Sequence, residues 1–404
     1  MHPYIVQPGD TLLRIARRFD INAAALLAAN PALSPTMLPL PGLLLGIPNG
    51  AGTIYCIQPG DTIIALAERL GCSIHALSAA NPHLDLKHLL PGQLLEIKAN
   101  TTQRIIDPRA EYGQVELEKD VALLELEFPF VDVKTIGESV MGKPILAVKL
   151  GEGPHKVHMN AAMHANEWIT APLLMTFIED AAQACLHGKK LCDMDMRALL
   201  KKVSVWFVPM VNPDGVELVQ EGLHPGHLYY TELLRWNRGS TRFTKWKANV
   251  HGVDLNDQFP AFWEEEVERR DVHGPGPRDY PGEAPLSEPE ARALADFTRE
   301  ECFDLVVALH TQGQEIYWNY RGYEPPEAEV IAKLMSQASG YKPVKLKGSD
   351  AGYKDWFIYD YRKPGFTVEI GYGVNPLPLD SFQDLYDEVR PLLLAALAAA
   401  AGQT

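Results

Sequence analysis

Cysteine is scarce: five residues, Cys56, Cys72, Cys185, Cys192 and Cys302, an odd number with no C-x-x-C pair, so no disulfide framework is expected. Positive charge is also short. Against 52 Asp and Glu stand 37 Lys and Arg, a formal net charge of −15. That balance excludes nucleic acid as the main partner, because phosphate binding needs a basic surface. It also disfavours charge-driven adhesion to anionic polymers, so attachment to a cell wall must use specific sugar or peptide contacts. Long apolar runs are missing. Leu392 to Ala401 is apolar, but about ten residues fall well short of the roughly 20 that span a bilayer, so it reads as a terminal helix and no membrane partner is expected. Met1-His2-Pro3 leads straight into the first repeat without a charged n-region and apolar h-region, so no secretory signal is visible. What is present is an ordinary soluble composition, 46% hydrophobic and 22% charged over 404 residues, enough for more than one domain.

The first hundred residues repeat. Tyr4-Ile5-Val6-Gln7-Pro8-Gly9-Asp10-Thr11-Leu12 recurs as Tyr55-Cys56-Ile57-Gln58-Pro59-Gly60-Asp61-Thr62-Ile63, and Ala29-Asn30-Pro31 as Ala80-Asn81-Pro82. A repeat kept across a whole unit means duplicated small modules. In each, a short strand meets a Pro-Gly turn and Asp10 or Thr11 caps a helix. Asn22 caps a second helix ending near Asn30-Pro31, and an apolar strand closes the unit. The expected architecture is strand, helix, helix, strand. The pattern resembles the LysM module, a binder of N-acetylglucosamine-containing glycans such as peptidoglycan and chitin. By that resemblance the sugar lies in a groove formed by Gly9, Asp10, Thr11, Asn30 and Pro31, and by Gly60, Asp61, Thr62, Asn81 and Pro82 in the copy. The same residue types also serve turns and caps, so each has an architectural alternative. The expected boundaries are 1–50 and 51–99 for the modules, a polar linker over 100–110, and one large domain over 111–404.

In that domain, apolar strands expected over 156–163, 203–210, 304–309 and 366–370 alternate with helical stretches near 168–186, 288–301, 325–339 and 380–400. The fold class is therefore α/β, a mixed, mostly parallel sheet flanked by helices, preceded by two small βααβ modules. Sites in such sheets lie beyond the carboxyl ends of the strands. His164 and Glu167 stand at one such end, three residues apart where a strand gives way to a helix, and can close on one ion. Zinc held for catalysis needs a third protein ligand and an open position, and His310, ending a second buried strand, is the candidate. Metal-assisted hydrolysis of an amide also needs a carboxylate that takes a proton from water and returns it to the leaving amine. Glu369, near the end of Phe366-Thr367-Val368-Glu369, is placed for that role; the alternative is a structural ion pair.

These residues, with Gly252-Val253-Asp254-Leu255-Asn256, stand in the order and context of the zinc carboxypeptidases, the carboxypeptidase A-like family, which the chain resembles over roughly 112–400. The resemblance implies one Zn2+ per chain on His164, Glu167 and His310, with Glu369 as general base and acid. Trp246-Lys247 sits where the family has a Trp-Arg pair, making Lys247 the expected electrophile, or else a solvated lysine beside Lys245 and Arg242. Asp254 either orients a zinc histidine or caps a turn. Two departures matter. Where the exopeptidases grip a terminal carboxylate with an Asn-Arg pair, this chain has Asn256-Asp257, and Lys354 stands at the position that tunes the leaving-side pocket. Asn256 keeps a donor and an acceptor for a substrate carbonyl or carboxylate. Asp257 and Lys354 together offer an acid and a base to a side chain such as that of meso-diaminopimelate, unless the two charges simply pair with each other or with solvent.

The combination resembles the γ-D-glutamyl-L-diamino acid endopeptidases of bacterial cell walls, which join LysM modules to a carboxypeptidase-like domain. The expected activity is hydrolysis of the bond between D-glutamate and diaminopimelate or lysine in peptidoglycan stem peptides, at a cell wall or spore. The alternatives are a carboxypeptidase releasing C-terminal residues and a catalytically silent glycan-binding protein. Oligomeric state is not legible.

Overall fold

The computed structural model describes residues 2–402 apart from 8, 20–25, 28, 32, 34–38, 48–51, 59, 71–72, 83 and 99–103. Pro8, Pro59, the expected cap Asn22 and residues 100–103 of the expected linker lie outside the described residues. The chain divides into two units, Met1–Glu111 with Ala122–Pro129, and Tyr112–Val121 with Phe130–Thr404.

In the first unit the duplication seen in the sequence is visible. Strand β1 (His2–Ile5) pairs antiparallel with β2 (Leu44–Ile47), and helix Leu12–Arg18 lies between them in the chain. Ile15, Leu26, Leu45 and Ile47 close a small core. The copy shows both helices: β3 (Gly52–Cys56), helices Ile63–Leu70 and Ile74–Ala80, then β4 (Leu94–Lys98), again antiparallel. Its helix starts are chemically specified. Thr62 Oγ1 accepts from the Ala65 amide at 3.2 Å, and Ser73 Oγ from Ala76 at 3.1 Å. Gly9 and Gly60 follow the prolines at φ 83° and 87°, a conformation that costs other residues a Cβ clash.

The second unit is built on an eight-stranded sheet in the order β13-β12-β14-β11-β7-β10-β6-β5. Its strands are β5 (Asp132–Glu138), β6 (Pro144–Leu150), β7 (His155–Asn160), β10 (Val203–Val208), β11 (Leu305–His310), β12 (Glu315–Tyr317), β13 (Lys342–Val344) and β14 (Gly365–Glu369); β8 (Lys190–Leu191) and β9 (Met194–Asp195) form a separate hairpin. The four central strands, β10, β7, β11 and β14, run parallel, whereas β5 and β6 at one side and β12 against β14 at the other are antiparallel. Every residue of β10 and β11 is buried, as expected for strands covered on both faces. One face packs on helices Pro289–Glu301 and Tyr353–Tyr361, where Val306 and Ala308 of β11 meet Phe297, Trp356 and Phe357. Among the described residues no helix is long and apolar enough to cross a membrane.

Two boundaries differ from expectation at the point that matters. The strand expected over 156–163 leaves the ladder after Asn160; Ala162 turns to φ 47°, and its carbonyl accepts from the Asn212 amide at 3.1 Å. The helix expected from 168 begins at Thr170 and is preceded by a 3-10 turn over Ala165–Glu167. Apolar periodicity cannot see either change, because all these residues are apolar or buried.

Candidate active site

The turn after β7 is pinned from several sides. Thr170 Oγ1 donates to the Glu167 carbonyl at 2.8 Å and accepts from the Ala162 amide at 2.9 Å. Asn212 Nδ2 reaches the Met163 and Ala248 carbonyls at 3.1 and 3.2 Å. The side chains of His164 and Glu167 consequently face one point, which His310 reaches from the end of β11. His164 Nδ1 lies 3.1 Å from His310 Nδ1 and 2.9 Å from Glu167 Oε1, and His310 Nδ1 is 3.0 Å from Glu167 Oε2. All three residues are at most 5% exposed. Among the described residues this is the group whose ligand atoms converge, all within 4.8 Å of one another.

The donor set fits a dication. Two imidazole nitrogens facing each other can share one proton at most, and a shared ion satisfies both lone pairs and the carboxylate at once. Behind the ligands the arrangement continues. Asp254, fully buried, lies 3.2 Å from His164 Nε2 and 2.7 Å from Lys247 Nζ, and its Oδ1 also accepts from the Asn256 amide at 3.2 Å. The alternatives posed for Asp254 thus coincide: one carboxylate orients the histidine and caps the turn. Glu167 is steadied by the Thr311 amide at 3.2 Å and by Asn375 Nδ2 at 3.4 Å. Such outer partners are the usual means of fixing ligand orientation.

Burial opposes charge throughout, and the partners decide the outcome. Burial lowers His164, but Glu167 and Asp254 outweigh it and hold the imidazole up at about 9. Burial raises Glu167, yet His164 and His310 keep its carboxyl below the ordinary range. Asp254 is held well below the usual carboxylate value by Lys247 and His164 against its burial. Among the described residues Glu369 makes no ion pair. Burial first, then the Glu167 charge, push it up to about 8, the range in which a carboxyl exchanges protons near neutrality. It stands in register beside His310 on the adjacent parallel strand and lines, with His164, Glu167, Lys247 and Tyr317, a cavity of about 510 Å³.

The zinc carboxypeptidase family model matches residues 118–378, and the LysM domain matches residues 4–48 and again 55–98. The chain belongs to the zinc carboxypeptidase family. It is 41% identical over 393 residues to a protein of Lysinibacillus sphaericus named Gamma-D-glutamyl-L-diamino acid endopeptidase 1, covering 97% of this chain and 99% of that one. A carboxypeptidase B of Bos taurus is 27% identical over 256 residues, 58% of this chain and 56% of the other. Among solved structures, bovine thrombin-activatable fibrinolysis inhibitor shares the fold with a TM-score of 0.57 at 19% identity, covering 74% of this chain and 99% of that chain. A metallopeptidase with two LysM domains and an α/β carboxypeptidase fold is therefore what this sequence encodes.

Within the zinc carboxypeptidase frame, the residues expected from the family's specificity positions do not stand open. Asp257, 2% exposed, pairs through Oδ1 with Arg270 Nη2 at 2.8 Å, and burial together with Asp254 raises it to about 7. Lys354, 4% exposed, donates to the Asn319 carbonyl at 2.8 Å and pairs with Asp355 at 2.5 Å. The pair expected to grip one substrate side chain is thus divided. Each charge has its own protein partner, and Lys354 lines a separate cavity of about 440 Å³ with Arg321 and Lys347. Asn256 Oδ1 accepts from the Tyr353 amide at 3.1 Å and helps hold the helix that carries Lys354. Sequence reasoning missed Arg270, which lies on a charged helix, Trp263–Arg270, where nothing distinguishes one arginine from the next. Asn375 had a signal, the Asn-Pro dipeptide after a Gly-x-Gly segment, which marks a constrained loop.

In the LysM domains most of the expected sugar-contacting side chains are occupied internally. Asp10 accepts from Tyr4 Oη at 2.5 Å and from the Gln7 amide at 2.8 Å, and Asp61 repeats this with Tyr55 and Gln58. Asn30 ties the Leu26 carbonyl to both backbone groups of Gly46. Asn81 does the same between Leu77 and Glu96. Thr11 and Thr62 cap helices. Each of these six side chains has an architectural role. Gly9, Pro31, Gly60 and Pro82 remain on the exposed surface.

Proposed function

We propose that this chain is a zinc-dependent endopeptidase that hydrolyses the γ-D-glutamyl–L-diamino acid bond of peptidoglycan stem peptides, its LysM domains holding the enzyme on the glycan. The observation that carries the chemistry is the convergence of His164, Glu167 and His310 on one point, beside a cavity that His164 and Glu167 line together with Glu369 and Lys247. His164 Nδ1, His310 Nδ1 and Glu167 would hold the ion, leaving a position open to substrate and water. Zinc, when bound, polarises the substrate carbonyl and makes water acidic near neutral pH. Glu369 takes a proton from the attacking water and carries it to the nitrogen of the departing amine. Lys247, kept cationic by Asp254, faces the negative charge that develops on the carbonyl oxygen. Asp254 keeps His164 turned toward the ion.

Substrate class is supported by the near full-length likeness to the Lysinibacillus enzyme, whose name states that bond, and by the state of Arg270. An exopeptidase needs a free guanidinium for the terminal carboxylate, whereas Arg270 is engaged by Asp257 at 2.8 Å, Glu266 at 2.7 Å and Asp279 at 3.6 Å. The LysM domains act by tethering, which raises the local concentration of stem peptides. Whether the diamino acid is diaminopimelate or lysine, the test is mass spectrometry of digested muropeptides. Products ending in D-glutamate with its γ-carboxyl free are expected, and release of single residues from ordinary peptides would overturn the specificity. Glu369→Gln should abolish turnover while keeping stoichiometric zinc; a variant that still cuts refutes the proton-transfer role. We propose, too, that the enzyme works at a cell wall or spore, which fractionation with an antibody would check.

A further inference from the structure

The wall of the active-site cavity facing the metal ligands runs against the composition of the chain. The protein carries a formal charge of −15, yet Lys245, Lys247 and Arg278 all line this cavity. They are brought together by two loops laced around Asp254. The Lys247 and Ala248 amides both donate to the Pro277 carbonyl, at 2.8 and 3.2 Å, while the Asp254 amide donates to Tyr280 O at 2.7 Å and Asp254 Oδ2 accepts from the Asp279 amide at 3.2 Å. Arg278 is therefore held beside Lys247 by backbone, not by chance of rotamer. The two cations share the Asp279 carboxylate, Arg278 Nε at 2.9 Å and Lys247 Nζ at 3.7 Å.

The three cations are not equally available. Lys247 is neutralised by Asp254 at 2.7 Å and is 15% exposed. Arg278 is 64% exposed and uses its Nε on Asp279, which leaves the two terminal nitrogens, a planar fork that suits a carboxylate. Lys245 is exposed and makes no ion pair among the described residues. The negative groups in view are Asp279, shared with Arg270, and across the cavity Glu167 and Glu369. An anion arriving on the Lys245–Arg278 side meets the cations first.

We propose that Arg278, assisted by Lys245, is the clasp for a second carboxylate carried by the acyl half of the substrate. The inference rests on the proposed function and deepens it. Lys247 faces the reacting carbonyl, so the wall continuous with Lys247 lies beside the acyl group. An acyl group joined through a glutamyl γ-carbonyl keeps its α-carboxylate three carbons away. An α-linked peptide offers no anion there unless the residue is itself acidic.

The experiment compares two synthetic peptides, γ-D-glutamyl-L-lysine peptides with the α-carboxyl free or as its primary amide, on the zinc-loaded full chain. Charge-assisted hydrogen bonds of this kind correspond to roughly 10- to 100-fold in kcat/KM. The wild type should favour the free acid by that factor, and 0.5 M salt should shrink the preference. Arg278→Ala should reduce the acid-to-amide ratio at least fivefold, with Lys245→Ala a smaller change of the same sign, and Arg278→Lys should restore part of it. Equal losses on both peptides, or a wild type indifferent to amidation, overturn the clasp while leaving the proposed activity standing. A wild type that cuts neither these peptides nor their meso-diaminopimelate counterparts overturns the activity and the clasp together.

Discussion

Replacing Asp254 tests more of the reasoning than any other single change, because one buried carboxylate serves a metal ligand, an electrophile and a turn. In Asp254→Ala, Lys247 keeps its charge with Asp279 at 3.7 Å as its remaining ion-pair partner among the described residues, and His164 Nε2 loses the carboxylate at 3.2 Å. Breaking a buried pair by removing one partner costs roughly 3–5 kcal/mol, and the residual pairing of Lys247 favours the lower end, about 3 kcal/mol. For a domain of this size that corresponds to about 5–10 °C in Tm. Loss of the histidine's outer partner lowers metal affinity by roughly 10- to 100-fold. The assays are thermal melting of the metal-free protein, which isolates the ion-pair term, and zinc competition with a fluorescent chelator, which isolates the orienting term. The double variant Asp254→Ala/Lys247→Met removes the orphaned ammonium and should recover most of the stability while leaving zinc affinity low. If the double variant regains metal affinity as well, Asp254 does not orient His164. Should Asp254→Ala melt like the wild type, the lysine is not held as described.

Other consequences follow from buried groups elsewhere. His158, 0% exposed, sits against Phe303 with its rings 5.0 Å apart and takes a hydrogen bond from Asn160 at 3.1 Å; burial lowers it from 6.5 to about 3. The unfolded chain therefore binds the extra proton first, so stability present above pH 6.5 is lost as pH falls from there toward 3, by up to about 1.4 kcal/mol per pH unit, a slope that His158→Phe should remove from urea titrations. Asn81→Ala leaves the Glu96 amide and two carbonyls without their partner, costing the second LysM domain about 2–3 kcal/mol, read by proteolysis of that domain with peptidase activity unchanged. Chelation followed by zinc return should move the peptidase melting temperature down and back, since a site filled at a thousandfold excess over Kd adds about 4 kcal/mol; unchanged melting would show that the His164–Glu167–His310 cluster holds no ion.

The central strands were legible because strands buried on both faces read as uninterrupted apolar runs, and the helices between them carry a clear period. The modules were legible because their turns demand particular residues twice over. What stayed hidden was of two kinds. Strands β12 and β13 are three residues long, too short for any period, so the antiparallel edge was invisible. The partners of ionised groups were also invisible. A sequence presents Asp257 and Lys354 as two loose charges near a site, and only the folded chain shows Arg270 and Asp355 already at their side. His310 and Glu369 escaped this difficulty since strand ends fix where they point before any side chain is placed, and His164 follows four residues after the end of β7.

That difference bears on how the active site is built. His310 and Glu369 sit on strand ends, where the sheet sets their spacing, and His164 and Glu167 on the pinned turn after β7, while the cations expected to choose the substrate sit on loops tied back to Asp254. A change in the 277–280 loop can alter Arg278 without disturbing β7, β11 or β14. A change at Asp254 cannot, because the same carboxylate accepts from Asp279 N and touches His164. Selectivity for the acyl group is therefore separable from metal binding at Arg278 but coupled to it at Asp254. Zinc affinity should accordingly fall in Asp254→Asn and stay level in Arg278→Ala, although both weaken the preference for the free acid.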